Sequence, residues 1–250
     1  MNYINIKNVQ NVKYITFNRN EKRNAINDEM SNSIVSAIED AEKEDARVII
    51  LQADESSKVF SAGYDLSDLN TMEDFFHGPI FKLFRKIRNT KIPIIAKING
   101  AVYAGALHLL MVCDIVLATD LSPVTMTLNK MGIPFDVQNY KYWLDAMGIH
   151  KVKELFFTAQ SIDANDAYVA GIFNYVDTLE NINLKLENII QGILNCSSQG
   201  IANSKMLINK IADSMIIDNK TAAILEKSKY KILKSSELSE CVYKMKTKII

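Results

Sequence analysis

The sequence predicts an α/β fold with parallel strands and a helical C-terminal extension, and three observations carry that reading. Strand-like and helix-like apolar patterns alternate through roughly the first 120 residues. Small-residue turns, Ala62-Gly63 and Ala104-Gly105-Ala106, sit where strands hand over to helices. Beyond about residue 145 the periodicity becomes helical. Alternation of this kind aligns strands in parallel through right-handed crossovers and puts ligand sites at strand carboxyl ends.

The elements follow in order. Residues 12–18, VKYITFN, alternate as a strand does, and residues 47–53, RVIILQA, form an apolar run suited to a buried one. Between them lies NDEMSNSIVSAIEDAEK, with Asn27 at the N-cap and acids in the first turn. Its Met30, Ile34, Ala37, Ile38 and Ala41 recur at helical spacing. Val59 and Phe60 then enter Ser61-Ala62-Gly63, and Tyr64-Asp65-Leu66 reads as a helix start. The pattern repeats with IPIIAKI at 92–98, a helix from Gly105, and DIVLAT at 114–119. Residues 101–118 approach membrane-spanning length, but His108 and Asp114 inside them are costly in lipid, so a buried helix leading into a buried strand is expected. Helices follow at KVKELFFTA, at DANDAYVAG closed by Gly171, and over 182–197 and 202–215, before a Lys-rich stretch at 219–250. No Pro- or Gly-rich linker intervenes, which predicts one domain over 1–250, with an α/β core to about 190 and a helical region from 191.

Composition narrows the partners. With 250 residues and 48% apolar content, the chain can bury a substantial core. Its 29 basic and 29 acidic residues balance, so no overall field draws it to nucleic acid or anionic lipid. The first ten residues lack the basic-then-apolar pattern of a secretory signal. Cys113, Cys196 and Cys241 lie far apart, with no CxxC pair and no histidine at metal-ligand spacing, which predicts reduced thiols, a cytoplasmic protein and no metal.

The two small-residue turns suggest chemistry. A helix start presents unpaired N–H groups and partial positive charge, and Gly or Ala lets a ligand oxygen approach the backbone. The N–H groups of Tyr64 and Gly105, aimed at one carbonyl oxygen, would each lower the barrier to an anionic intermediate by about 3 kcal/mol.

The segments FNRNEKRNAI, SSKVFSAGYDL, INGAVYAGALHLLMVCDIVLA, MGIPF and KELFFTAQSIDANDAYVAGIFNYV, in this order, resemble the crotonase, or enoyl-CoA hydratase/isomerase, superfamily over essentially the full length. The resemblance implies a crotonase-like ββα spiral core and an acyl-CoA thioester whose enolate is held by two backbone N–H groups, here those of Tyr64 and Gly105. It places Lys22, Arg23 and Ala25 along the CoA nucleotide, and Ala62, Asp65 and Leu66 around adenine and pantetheine. It implies no catalytic cofactor, with coenzyme A as substrate carrier. It also implies C-terminal helices that pack between subunits in a trimer or dimer of trimers, with Lys248 a candidate to complete the CoA site.

Two departures from the family pattern shape the expected reaction. Family hydratases use one glutamate in the helix after the second donor and another before the Gly-x-Pro turn. Here His108 holds the first position and, counting back without gaps from MGIPF, Thr127 holds the second. Water addition needs a positioned acid/base pair, whereas loss of CO2 from a malonyl-type thioester generates the enolate without one. SKVFSAG, MGIPF and KELFFTA are most similar to the methylmalonyl-CoA decarboxylase branch, where a tyrosine follows the Gly-x-Pro proline; Phe135 stands there and presents an apolar wall to the carboxylate. The expected function is decarboxylation of a malonyl or methylmalonyl thioester, CoA- or carrier-protein-linked. Isomerisation or hydration using His108, and a catalytically silent acyl-CoA-binding homologue, are the alternatives. His108 reads either as a core histidine or as a proton donor or carboxylate contact. Tyr140, Tyr142 and the stripe Phe75, Phe76, Phe81 and Phe84 read as packing residues first and as lining of the acyl pocket second.

Overall fold

The computed structural model describes residues 3–68, 76–135, 137–214, 219–236, 238–240 and 243. The chain begins with an antiparallel hairpin, β1 (Ile4–Val9) and β2 (Val12–Phe17), which the sequence reading missed in its first half. Only Ile4 of β1 is buried, and its apolar alternation, Ile4-Asn5-Ile6-Lys7, breaks at Asn8, a run too short to announce an edge strand. Helix α1 (Asp28–Lys43) starts as the sequence predicts: the Asn27 side chain accepts from the Met30 N–H at 2.9 Å, and Met30, Ile34, Ala37, Ile38 and Ala41 are all buried.

From β3 onward the chain spirals between two sheets. Strands β3 (Val48–Ala53), β5 (Ile94–Ile98), β7 (Ile115–Thr119) and β10 (Tyr175–Asp177) extend the first sheet to six strands in the order β1-β2-β3-β5-β7-β10. Strands β4 (Val59–Ser61), β6 (Ala101–Tyr103), β8 (Val124–Thr125) and β9 (Ser161–Ile162) form the second, in the order β4-β6-β8-β9. Each turn of the spiral gives one strand to each sheet. Helix α2 (Pro79–Asn89) lies between β4 and β5, and α3 (Gly105–Val112) between β6 and β7. Apart from β1-β2 and β8-β9, the pairs are parallel.

The first sheet is covered on both faces, as a parallel sheet requires. Ile49, Leu51, Ile94 and Ala96 face the larger core with α1, α2 and α3, while Val48, Ile50, Ile95 and Leu117 face Ile182, Leu186 and Ile190 of a later helix. That helix is the sixth in the described chain: α4 (Val137–Thr158, broken at Gly148 with φ 72° and ψ 163°), α5 (Ala164–Val169), α6 (Leu179–Leu194), α7 (Ser198–Ser214) and α8 (Asn219–Leu233) follow α3. Because α6 seals the sheet, this helix is part of the core.

The stretch from 101 to 118 is β6, an eight-residue helix and the start of β7. Among the described residues no helix is long and apolar enough to cross a membrane.

Candidate active site

Two backbone corners meet at the carboxyl ends of the paired strands β4 and β6. Gly63 adopts φ +92°, a region that favours glycine, and Ala104 adopts φ 46° and ψ −117°, turning β6 abruptly into α3. A side-chain carbon at Gly63 would lie 2.9 Å from the Tyr103 carbonyl oxygen and 3.1 Å from the Gly105 nitrogen. One at Gly105 would lie 3.4 Å from the Tyr64 nitrogen. Small residues are therefore required because the two corners touch.

The Tyr64 peptide is held from one side. The Ile26 N–H donates to the Gly63 carbonyl at 2.7 Å and the Asp65 N–H donates to the Ile26 carbonyl at 2.9 Å, a parallel bridge. In that geometry the Tyr64 N–H faces away from Ile26. The Gly105 N–H, first in its helix, donates to no acceptor among the described residues. After Gly63 the described chain forms a 3₁₀ turn, Leu66–Asp68, and the Tyr64 position is held by the bridge with Ile26.

Both corners open on a cavity of about 910 Å³. Its lining divides by chemistry. The loop carrying Lys22, Arg23 and Ala25 and the corner carrying Ala62, Tyr64, Asp65 and Leu66 bring the charged groups, joined by Glu21 and Ser67. Helix α2 brings Ile80, Phe81 and Phe84, and the segment from Thr127 to Phe135 brings apolar side chains beside the Thr127 hydroxyl. The structure thus gathers ten of the twelve residues singled out from the sequence around one space, with Gly105 at its wall. Phe81 and Phe84, read from sequence as packing, are both core and lining. Tyr140 and Tyr142 stay in packing roles: Tyr140 stands against Phe135 and Phe156, and Arg88 lies 4.2 Å over the Tyr142 ring. Lys248, Cys241 and Phe75 lie outside the described residues.

His108 stands one layer behind this lining. It is fully buried, with its ring 4.7 Å from Phe84 and 4.8 Å from Phe135, centroid to centroid. Its Nδ1 accepts from the Trp143 indole N–H at 3.2 Å, which fixes the neutral tautomer with the proton on Nε2. Burial drives its pKa from 6.5 down to about 3, while Asn139 pulls the other way without meeting hydrogen-bond geometry at Nε2. The motif carries the position of His108, but its direction is set by Trp143, thirty-five residues later. That partner had no signal in the sequence beyond being the chain's single tryptophan.

The charged loop is knitted to the corner. Arg19 Nη1 donates to Asp65 Oδ2 at 2.6 Å and to the Ala25 carbonyl at 2.8 Å. Asp65 Oδ1 accepts from the Ser67 N–H at 3.0 Å and its hydroxyl at 2.7 Å. Burial pushes the Asp65 pKa up, but the Ser67 and Arg19 hydrogen bonds outweigh it and hold the carboxyl below its ordinary value. Fully buried Asn24 accepts the Arg19 N–H at 3.0 Å on its side-chain oxygen, and its carbonyl accepts the Ser61 hydroxyl at 2.7 Å. No group of three metal-ligating side chains occurs among the described residues.

The chain is similar to known proteins of one family. The enoyl-CoA hydratase/isomerase family pattern matches residues 7–245. The chain is 33% identical to a methylmalonyl-CoA decarboxylase of Escherichia coli (strain K12) over 183 residues, covering 72% of this chain and 70% of that protein. It is 26% identical to a probable enoyl-CoA hydratase of Mycobacterium leprae over 212 residues, 84% of this chain and 82% of the other. A solved structure of methylmalonyl-CoA decarboxylase in complex with 2-nitronate-propionyl-CoA superposes with a TM-score of 0.94 at 27% identity, covering 99% of this chain and 96% of that one.

Proposed function

This chain belongs to the enoyl-CoA hydratase/isomerase family, and from that membership we propose that it is an acyl-CoA-binding lyase that decarboxylates a malonyl- or methylmalonyl-type thioester, CoA- or carrier-protein-linked. The observation that carries this reading is the acyl side of the cavity. Beyond the two corners, the described lining from α2 and from the segment ending at Phe135 offers aromatic and aliphatic side chains and one hydroxyl, Thr127, with no acid/base pair. The lining carboxylates, Glu21 and Asp65, belong to the charged loop and corner, and Asp65 is already engaged by Arg19 and Ser67.

In the proposed reaction Lys22 and Arg23 attract the phosphates of the carrier, and Ala25, Ala62 and Leu66 flank its adenine and pantetheine. The thioester oxygen lies between the Tyr64 and Gly105 N–H groups. The bond from the α carbon to the carboxylate breaks, its electron pair moves into the thioester to form the enolate, and CO2 leaves. The α carbon then takes a proton from solvent. The two N–H groups stabilise the oxygen as it gains charge. Phe135 and its aromatic neighbours strip water from the leaving carboxylate, and Thr127 orients it, favouring departure as neutral CO2. Methylmalonyl-CoA decarboxylase as a relative supports the same reading.

Hydration with His108 as acid/base is the weaker alternative, because a neutral imidazole with a pKa of about 3 behind the lining is poorly placed to activate water. Malonyl-CoA and methylmalonyl-CoA, incubated with the protein and followed by CO2 release, test the proposal, with crotonyl-CoA hydration measured in parallel. Release of CO2 with little hydration is the expected result. Hydration without CO2 release overturns it in favour of a hydratase. CoA binding without turnover of any thioester indicates a silent homologue.

A further inference from the structure

We propose that Arg19 is a positioning residue for the oxyanion hole, holding the Tyr64 donor in register with Gly105 through its ion pair with Asp65; this rests on the enolate-stabilising reading above. Arg19 does not line the cavity, and its side chain is 11% exposed. One nitrogen, Nη1, holds both strands of the isolated bridge around Tyr64: the Ala25 carbonyl on one and the Asp65 carboxylate on the other. The residues it grips flank the bridge itself, since Ile26 follows Ala25 and Asp65 follows Tyr64. Tyr64 is also restrained by the backbone bonds that Gly63 and Asp65 make with Ile26 and by the bond from its phenol to Asp28 at 3.0 Å. On the Gly63 side the bridge is continued by the Ala62 N–H donating to the Arg23 carbonyl at 3.0 Å and the Ser61 hydroxyl donating to the Asn24 carbonyl at 2.7 Å, and on the Asp65 side the ion pair supplies the restraint. Arg19 is in turn fixed by Asn24, which accepts its N–H and returns its own N–H to the Arg19 carbonyl at 2.9 Å.

A residue that only maintains the fold would affect binding of the resting carrier and of an enolate mimic alike. One that sets the donor direction affects the mimic selectively. The test is calorimetric titration of wild type, Arg19→Met, Arg19→Lys and Asp65→Asn with CoA and with 2-nitronate-propionyl-CoA, alongside thermal unfolding of each. The expected result is an affinity preference for the nitronate over CoA that falls by about 10- to 100-fold in Arg19→Met and Asp65→Asn, a part of what losing one donor outright removes. In Arg19→Met, whose altered side chain does not line the cavity, CoA affinity stays within about threefold. Arg19→Lys, which keeps the positive charge, retains more of the preference than Arg19→Met and keeps the proposal testable if the methionine variant does not fold. Where turnover is measurable, kcat falls in Arg19→Met with KM nearly unchanged. If wild type and Arg19→Met discriminate equally, the positioning proposal is overturned and the function stands. A wild type that binds the nitronate no tighter than CoA removes the function and the positioning role together.

Discussion

His108 shows what a side chain's surroundings do to the role its position suggests. In sequence it occupies the place of a family glutamate; in the fold it is sealed among Phe84, Phe135 and Trp143. Its folded pKa of about 3 lies below the unfolded value of 6.5. The unfolded chain therefore takes up the proton first as pH falls. The stability linked to neutral His108 is fully present above about pH 6.5 and is lost progressively as pH falls toward 3, at about 1.4 kcal/mol per unit. Denaturant unfolding at pH 7 and pH 5 should show wild type losing about 2 kcal/mol more than His108→Gln, which carries no titrating ring. Equal losses would mean that the imidazole reaches solvent. The corner residues were legible because a glycine with positive φ and a close backbone approach has few substitutes. The inward turn of His108 was not, because it depends on a partner from another helix.

At the scale of elements, short pieces hid and long ones declared themselves. Helix α1 and strand β3 were legible because each carries several periods of apolar spacing. Strands β4, β6, β8, β9 and β10, of two or three residues each, are too short to establish any period. They are made by pairing with distant segments. The docking of α7 was also illegible, since its anchor is a charge: Lys205, 8% exposed, donates to the Ile87 carbonyl at 3.2 Å, the Ile92 carbonyl at 3.0 Å and Asp114 Oδ2 at 2.6 Å. A lysine in a helix reads from sequence as surface. Here its three donors satisfy the end of α2, the entry to β5 and an acid at the start of β7. Lys205→Met should destabilise the protein by about 2–4 kcal/mol, because it leaves two carbonyls and a carboxylate without their cation. Chemical unfolding measures it, and a loss below about 0.5 kcal/mol would show the contact to be a solvated surface pair.

Across the whole molecule, the spiral explains why one cavity collects residues so far apart in sequence. Successive turns lay strands side by side and parallel in the second sheet, so β4 delivers Gly63 and Tyr64 beside the Gly105 delivered by β6, about forty residues later. The same architecture leaves apolar surface uncovered. On α7, Leu207, Ile208 and Ile211 are 46%, 65% and 63% exposed, adjoining Met206 at 45%. Residues 207, 208 and 211 fall on one helical face, and a contiguous face of this kind is stabilised by burial against another chain. We expect that partner to be a second copy, in a trimer or dimer of trimers as the family resemblance implies. Light scattering on the purified protein should give three or six times the 28.2 kDa chain mass. Ile208→Asp with Ile211→Asp should lower that mass, since buried aspartates without cations oppose association. A single-chain mass for wild type at micromolar concentration would rule the assembly out, and an assembly unaffected by the two aspartates would place the interface elsewhere. Because α7 is also anchored by Lys205 to β5 and β7, association and the stability of the first sheet should rise together. The unfolding midpoint is therefore expected to increase with protein concentration in wild type and to lose that dependence in the double aspartate variant.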